Sequence, residues 1–102
     1  MIHIVVTFIV KEGKMEEYLA VSQKLRSQVL VEKGCVEYSF AVEYKSPLAI
    51  QEKVNKNRVT LIEKWETKKD LAAHSQAPHM KEFGPKLRAL RESASARVMV
   101  SA

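Results

Sequence analysis

The chain of 102 residues lacks most of the features on which familiar enzyme and membrane motifs depend. It has one cysteine, Cys35, so it cannot form an internal disulfide bond, and we expect a protein of a reducing compartment, the cytoplasm. Its three glycines are far apart and form neither GxGxxG nor a Walker loop, which argues against the common nucleotide chemistries. No apolar run approaches the roughly 20 residues that cross a bilayer, and the first residues lack signal-peptide features. We therefore predict no membrane partner.

Charge of one sign is not concentrated anywhere in the chain. The 17 Lys and Arg residues are spread among 12 Asp and Glu residues, which leaves a net charge of +5. No basic block and no aromatic-glycine RNA motif occurs, so we predict no nucleic-acid partner but some attraction for anionic small molecules. With 46% hydrophobic residues, the sequence is typical of one soluble domain covering residues 1–102.

Hydrophobic patterns predict four strands. Residues 2–10 are apolar at alternate positions of both faces, as in a strand that is covered on both sides. Residues 35–44 alternate and have one strongly apolar face, and residues 96–100 form a short last strand. Residues 58–66 direct one set of side chains to one side: Val59, Leu61, Glu63 and Trp65. The polar residues 45–57 predict a long loop, which we expect to influence the choice of substrate.

Three helices are predicted between these strands. The first has apolar or small residues every three or four positions and is closed by Gly34; its stripe is Met15, Tyr18, Ser22, Leu25 and Val29. Residues 67–70 resemble a capping box and start the second helix. Pro78 suits the first turn of the third, where Gly84 and Pro85 should bend or restart the helix. The stripe of this helix is Met80, Phe83, Leu87 and Leu90.

The predicted element order, β-α-β-β-α-α-β, indicates the α+β class and a ferredoxin-like split β-α-β fold. In that fold an antiparallel four-stranded sheet carries its helices on one face. Because the first strand is apolar on both faces, the open face of the sheet needs cover. We therefore expect a homodimer in which two sheets pack together as a dimeric α+β barrel.

Metal and nucleophile chemistry find little support in the residue spacing. His74 and His79 are five positions apart with Pro78 between them, so they are not the i, i+4 pair of HExxH sites, and no third ligand of suitable spacing is apparent. We therefore predict no metal. Cys35 has no sequence context that would activate it, and the serines do not lie in an elbow-like turn.

An acid-base pocket remains as the candidate site. Glu63 is a carboxylate on an otherwise apolar strand face, where burial would raise its pKa unless it were paired. Leu71 and His74 share a face of the second helix, and an imidazole beside the Trp65 indole could accept a proton from a phenolic substrate. The alternative is that Glu63 pairs with a lysine or a backbone group and that Trp65 is simply part of the core.

The stretch VTLIEKWETKKDLAAHSQAPHMKEF, together with EKGCVEYSF, resembles the antibiotic biosynthesis monooxygenase family, and most of all its small quinol monooxygenases. The resemblance extends over nearly the whole chain. It implies a dimer with one pocket per subunit, between sheet and helices, where dioxygen oxidises an electron-rich aromatic without flavin, haem or metal. Haem-degrading relatives use an asparagine on the first strand and a histidine on the last long helix; this chain has no asparagine in residues 2–10 and no histidine after His79, so we expect no haem.

By family position, His74 is the expected base or hydrogen-bond partner of the substrate, Glu63 an orienting catalytic group and Trp65 an aromatic wall. His79, Leu71 and Phe83 are expected to contact the substrate as well. The resemblance leaves two other functions open: a ligand-binding or sensing dimer without catalysis, and an isomerase or epimerase of a small signalling molecule. Fold alone does not separate these functions.

Overall fold

Seven elements follow one another along the chain, and the computed structural model describes all of residues 1–102. The strands and helices are, in chain order, β1 (Ile2–Val10), α1 (Met15–Val29), β2 (Cys35–Val42), β3 (Arg58–Trp65), α2 (Lys68–Ser75), α3 (Pro78–Leu90) and β4 (Arg91–Val100). The predicted element order is confirmed.

The four strands form one antiparallel sheet in the order β2-β3-β1-β4. The two strands next to each other in sequence, β2 and β3, lie at one side, and β1 separates β3 from β4. This is the topology of the ferredoxin-like fold, so the predicted α+β class is confirmed. None of the three helices is both long and apolar enough to cross a bilayer.

The core lies between the helices and one face of the sheet. Strand β3 alternates as predicted, with every second side chain buried against the helices, including Glu63 and Trp65. Helix α1 buries Tyr18, Ser22, Leu25 and Val29, and α3 buries Phe83 and Leu87. These residues recur every three or four positions, so each helix presents one stripe to the sheet.

Strands β2 and β3 end one or two residues earlier than predicted, and two other features of the prediction differ more from the structure. Strand β4 begins at Arg91 instead of residue 96, because its backbone pairs with β1 although the residues after Arg91 are exposed and mostly polar. Helix α3 continues through Pro85 without a restart. Phe83 and Leu87, on either side of Pro85, are both buried, and we attribute the continuity to this packing, which compensates for the hydrogen bond that proline cannot donate.

Candidate active site

A cavity of about 570 Å³ lies between the sheet and the helices. This volume is in the usual range for a site that holds a small molecule. Apolar side chains form much of its wall, among them Val6, Phe8, Phe40, Leu61, Met80 and Leu87. Glu63, His74 and Tyr38 bring polar atoms to this wall. The cavity is therefore mostly apolar, with a few groups able to donate or accept a proton.

Helix α2 positions His74, and its first turn is fixed by a reciprocal cap. The backbone N–H of Asp70 donates to Oγ1 of Thr67 (3.1 Å), and the Thr67 hydroxyl donates to the Asp70 carboxylate (2.9 Å). Asp70 and His74 are one helical turn apart and both are buried. The cap therefore fixes the helix whose buried face carries the imidazole.

The His74 imidazole packs against two aromatic rings. The ring centroid of Trp65 is 4.6 Å from that of His74, and the centroid of Tyr38 is 5.6 Å away. Trp65 itself is completely buried, and its Nε1–H donates to Oε1 of Glu63 (2.9 Å). The imidazole is thus confined to one orientation, and the indole fixes the neighbouring carboxylate.

Glu32, in the turn after α1, is bonded to both histidines of this region. Its Oε2 accepts a hydrogen bond from the Nδ1–H of His74 (2.8 Å) and another from the Nε2–H of His79 (2.7 Å). The three side chains are 5 to 14% exposed, so solvent screens these contacts weakly. Because a carboxylate only accepts, the Nδ1 of His74 carries the proton, and the Nε2 of a neutral His74 is an acceptor.

The free nitrogen of His74 faces Glu63. Nε2 of His74 is 4.0 Å from Oε1 of Glu63, which is too far for a hydrogen bond. Burial raises the pKa of Glu63, while the bond from Trp65 and the nearby His74 lower it. Burial also raises the pKa of Tyr38, so its hydroxyl keeps its proton. The site therefore presents one acceptor, His74 Nε2, between two groups that can exchange or donate protons.

The turn that contains Glu32 packs closely against the start of α2 at Gly34. The φ of Gly34 is +81°, and a Cβ at this position would overlap the Asp70 side chain. Its carbonyl oxygen also accepts from the N–H of Glu66 (2.9 Å). Only a residue without a side chain allows the turn to approach α2 this closely. This approach brings Glu32 within reach of His74.

Glu32, His74 and His79 are also the residues that could hold a metal ion. Their three ligand atoms lie within 4.8 Å of one another and form a two-histidine, one-carboxylate set. Spacing along the sequence did not reveal a third ligand, because only chain folding brings Glu32 beside two histidines that follow it by more than 40 residues. The absence of a metal stays a prediction.

The predicted site residues divide into two groups. Glu63 and His74 lie in the wall of the cavity. The structure places the other four predicted residues outside that wall: Trp65, Leu71, His79 and Phe83. Trp65 and His79 act on the site through Glu63 and Glu32, whereas Leu71 and Phe83 pack in or against the core. Their contact with substrate stays a prediction.

Three residues of the site were not anticipated: Glu32, Tyr38 and Arg91. Glu32 lies in a polar turn without periodicity, and Tyr38 looked like one of several apolar-face residues of β2. The strand register places Tyr38 opposite Glu63, and it places Arg91 opposite Val10.

None of residues 45–57 lies in the wall of the main cavity. Burial and the charges of Glu32 and Glu63 raise the pKa of the Cys35 thiol, which disfavours its thiolate.

The sequence pattern described as antibiotic biosynthesis monooxygenase matches residues 1–86. The chain belongs to the antibiotic biosynthesis monooxygenase family. The match includes the turn that carries Glu32 and the three elements that carry Tyr38, Glu63 and His74, and it ends within α3. No curated protein is similar enough to the chain to count as a match.

Solved structures share the fold of this family member over nearly its whole length. A protein of Shewanella oneidensis is 25% identical, with a TM-score of 0.79 over 96% of this chain and 87% of that one. A conserved protein of Methanosarcina mazei is 24% identical, with a TM-score of 0.83 over 96% and 89%. A structure named antibiotic biosynthesis monooxygenase is 18% identical, with a TM-score of 0.82 over 100% and 99%.

Proposed function

We propose that the protein is a monooxygenase that oxidises a quinol, or another electron-rich aromatic, with dioxygen and without a bound cofactor. The observation that carries this proposal is the arrangement of His74. Its Nδ1–H is bonded to Glu32, and its Nε2 lies in an apolar cavity 4.0 Å from Glu63. Membership of the antibiotic biosynthesis monooxygenase family supports the reaction class.

The first step is the removal of a proton from a phenolic hydroxyl by His74 Nε2. The Glu32 carboxylate stabilises the imidazolium that forms, as the carboxylate of a catalytic triad does. A phenolate is a far better electron donor to dioxygen than the neutral phenol. In the net reaction a quinol and dioxygen give a hydroxyquinone and water, so the substrate supplies all the electrons.

Glu63 and Tyr38 act on the other polar atoms of the substrate. Glu63, whose pKa is raised by burial, can exchange a proton with a substrate oxygen other than the one that His74 deprotonates. The Tyr38 hydroxyl makes no hydrogen bond within the chain and lies in the cavity wall, so it is free to donate to a substrate oxygen. The apolar wall excludes water from the oxygenated intermediate.

The experiment that tests this proposal uses ¹⁸O₂ and purified protein treated with a chelator. A panel of reduced quinols is incubated with the protein, and the products are analysed by mass spectrometry after subtraction of autoxidation. The proposal predicts one labelled oxygen atom per product molecule and turnover that survives chelation. Turnover that is lost on chelation and restored by a divalent metal would instead assign the Glu32, His74 and His79 cluster to metal-dependent chemistry.

A second candidate, an isomerase or epimerase, is favoured by one observation. Two groups able to exchange protons, His74 and Glu63, are only 4.0 Å apart, so one could remove a proton from a substrate carbon and the other return a proton to a neighbouring carbon. Such an enzyme would use the same cavity but would consume no oxygen. Product formation without ¹⁸O incorporation would select this function, and binding without any turnover would select a sensing role.

We further propose that the functional unit is a homodimer formed by the open faces of two sheets. The face away from the helices carries Val5, Ile9, Ile62 and Met99, and no other element of the chain covers it. Burial of such residues against a second copy would stabilise the pair. Light scattering in solution tests this proposal, and a monodisperse monomer would refute it.

A further inference from the structure

Cationic side chains outnumber carboxylates in the cavity wall. Glu63 is the one carboxylate in the wall, whereas three cationic side chains line the same cavity: Lys81, Arg88 and Arg91. None of these three cations forms an ion pair within the chain. Cations that line a cavity without carboxylate partners favour an anionic ligand.

Arg91 is the only one of the three that makes a side-chain hydrogen bond or a cation-π contact within the chain. It is the first residue of β4, directly after α3. Its guanidinium lies 4.8 Å from the centre of the Phe8 ring, and its Nη1 donates to the Tyr18 hydroxyl (3.3 Å). Its other N–H groups have no partner in the chain. The guanidinium is therefore held in place by neutral groups and keeps donors free, whereas Lys81 and Arg88 are exposed at the rim.

The strand register gives the order of magnitude of the separation along β1 between this cation and Glu63. Glu63 lies opposite Ile4 of β1, and the Arg91 guanidinium lies over Phe8 of the same strand. Four residues of extended strand cover about 13 Å. With one hydrogen bond of about 3 Å at each end, a ligand between them would have its two polar groups roughly 7 Å apart.

We propose that the substrate is an aromatic acid whose carboxylate is bound by Arg91, with Lys81 and Arg88 attracting it at the rim. The reacting hydroxyl then lies beside His74 and Glu63, about the width of one substituted ring from the carboxylate. The planar guanidinium suits a carboxylate because it can donate two parallel hydrogen bonds. The position of the reacting hydroxyl beside His74 and Glu63 rests on the proposed function. The anion subsite does not, because it depends only on Arg91 and its neighbours.

The test measures binding under anaerobic conditions, where no turnover occurs. The probes are 3-(2,5-dihydroxyphenyl)propanoate and its primary amide, which differ in charge and hardly in shape. We expect the acid to bind roughly tenfold or more tightly than the amide, since hydrogen bonds to charged groups are the stronger ones. Arg91→Gln should remove most of this preference. Arg97→Gln, a change on the opposite sheet face, should leave it intact.

Equal affinity for the two probes, or failure of both to bind, would overturn the proposal. The comparison on the unaltered protein needs no variant, so it decides the question even if Arg91→Gln does not fold. Oxygen uptake with the same two probes separates this proposal from the proposed function. A preference for the acid without oxygen uptake would support the anion subsite and reject the monooxygenase. Equal affinity for the acid and the amide, together with oxygen uptake, would reject the anion subsite and support the monooxygenase.

Discussion

His74 and Glu32 are 42 positions apart in the chain and are joined by a hydrogen bond of 2.8 Å between Nδ1 and Oε2. The bond fixes the tautomer that leaves Nε2 of a neutral imidazole as an acceptor in the cavity. It also places a negative charge beside a ring that becomes positive when it takes a proton. Glu32 is therefore a positioning residue that acts through His74.

Replacement of Glu32 by glutamine should reduce kcat for quinol oxidation by about 10-fold or more, because the neutral amide no longer stabilises the imidazolium; loss of the partner that orients a metal-bound histidine has an effect of about 10- to 100-fold. The KM should change little, because Glu32 does not line the cavity. Steady-state oxygen uptake separates the two constants. Glu37→Gln, which removes a partly exposed partner of Lys64 outside the cavity wall, is the matched control and should behave like the unaltered protein. A change confined to KM would contradict the positioning role.

Stability of the unaltered protein should depend on Glu63 in a defined direction. Because burial raises the pKa of Glu63 in the folded state, its protonated form favours folding, and this contribution is lost as the pH rises from about 4.5 through the raised folded value. Glu63→Gln keeps an oxygen that can accept from Trp65 but does not titrate. The groups that face Glu63 are His74, Tyr38 and Glu32.

Urea unfolding of both proteins from pH 4 to 8 tests this expectation. The free energy of unfolding of Glu63→Gln should increase relative to that of the unaltered protein as the pH rises. Parallel stability curves over the whole range would show that Glu63 has the same pKa in the folded and unfolded states. The raised pKa would then be contradicted.

Gly34 and Gly13 provide a matched pair for the turn that carries Glu32. Both have positive φ, but a Cβ at Gly13 would meet nothing within 4 Å, whereas at Gly34 it would overlap Asp70. Gly13→Ala should therefore cost about 1 kcal/mol, the strain of the left-handed conformation alone. Gly34→Ala should cost clearly more and should also lower turnover, because α2 must move away from Glu32. Equal losses of stability in urea unfolding would contradict the close approach.

Much of the fold follows from local patterns. The alternation of β3 predicted that Glu63 and Trp65 face the helices, and the Thr67 to Asp70 cap predicted where α2 begins. These signals lie within a few residues of the feature that they predict. The length of β4 could not be inferred in this way, because its polar first half is held by backbone pairing with β1 and not by apolar side chains.

The candidate site, like the fold, was predicted only where its residues have a local sequence signal. His74 and Glu63 each have a local sequence signal, a helix face and a strand face. Glu32 has none, since its role depends on the close packing of the Gly34 turn against α2. Arg91 reaches the cavity only because β4 pairs with β1 and sets the guanidinium over Phe8. Contacts of this kind depend on tertiary register, which spacing along the chain does not reveal.

Oxygen uptake by His74→Ala, beside His3→Ala and the unaltered protein, tests the central claim most directly. His3 lies on the sheet face away from the cavity and bonds to Ser101, so its loss should not affect turnover of a variant that light scattering shows to keep the oligomeric state of the unaltered protein. The loss of His74 should reduce uptake above autoxidation by roughly 100-fold or more, the usual contribution of a general base. The fold should persist, because His79 still donates to Glu32. Unchanged uptake by a folded His74→Ala protein would contradict the account.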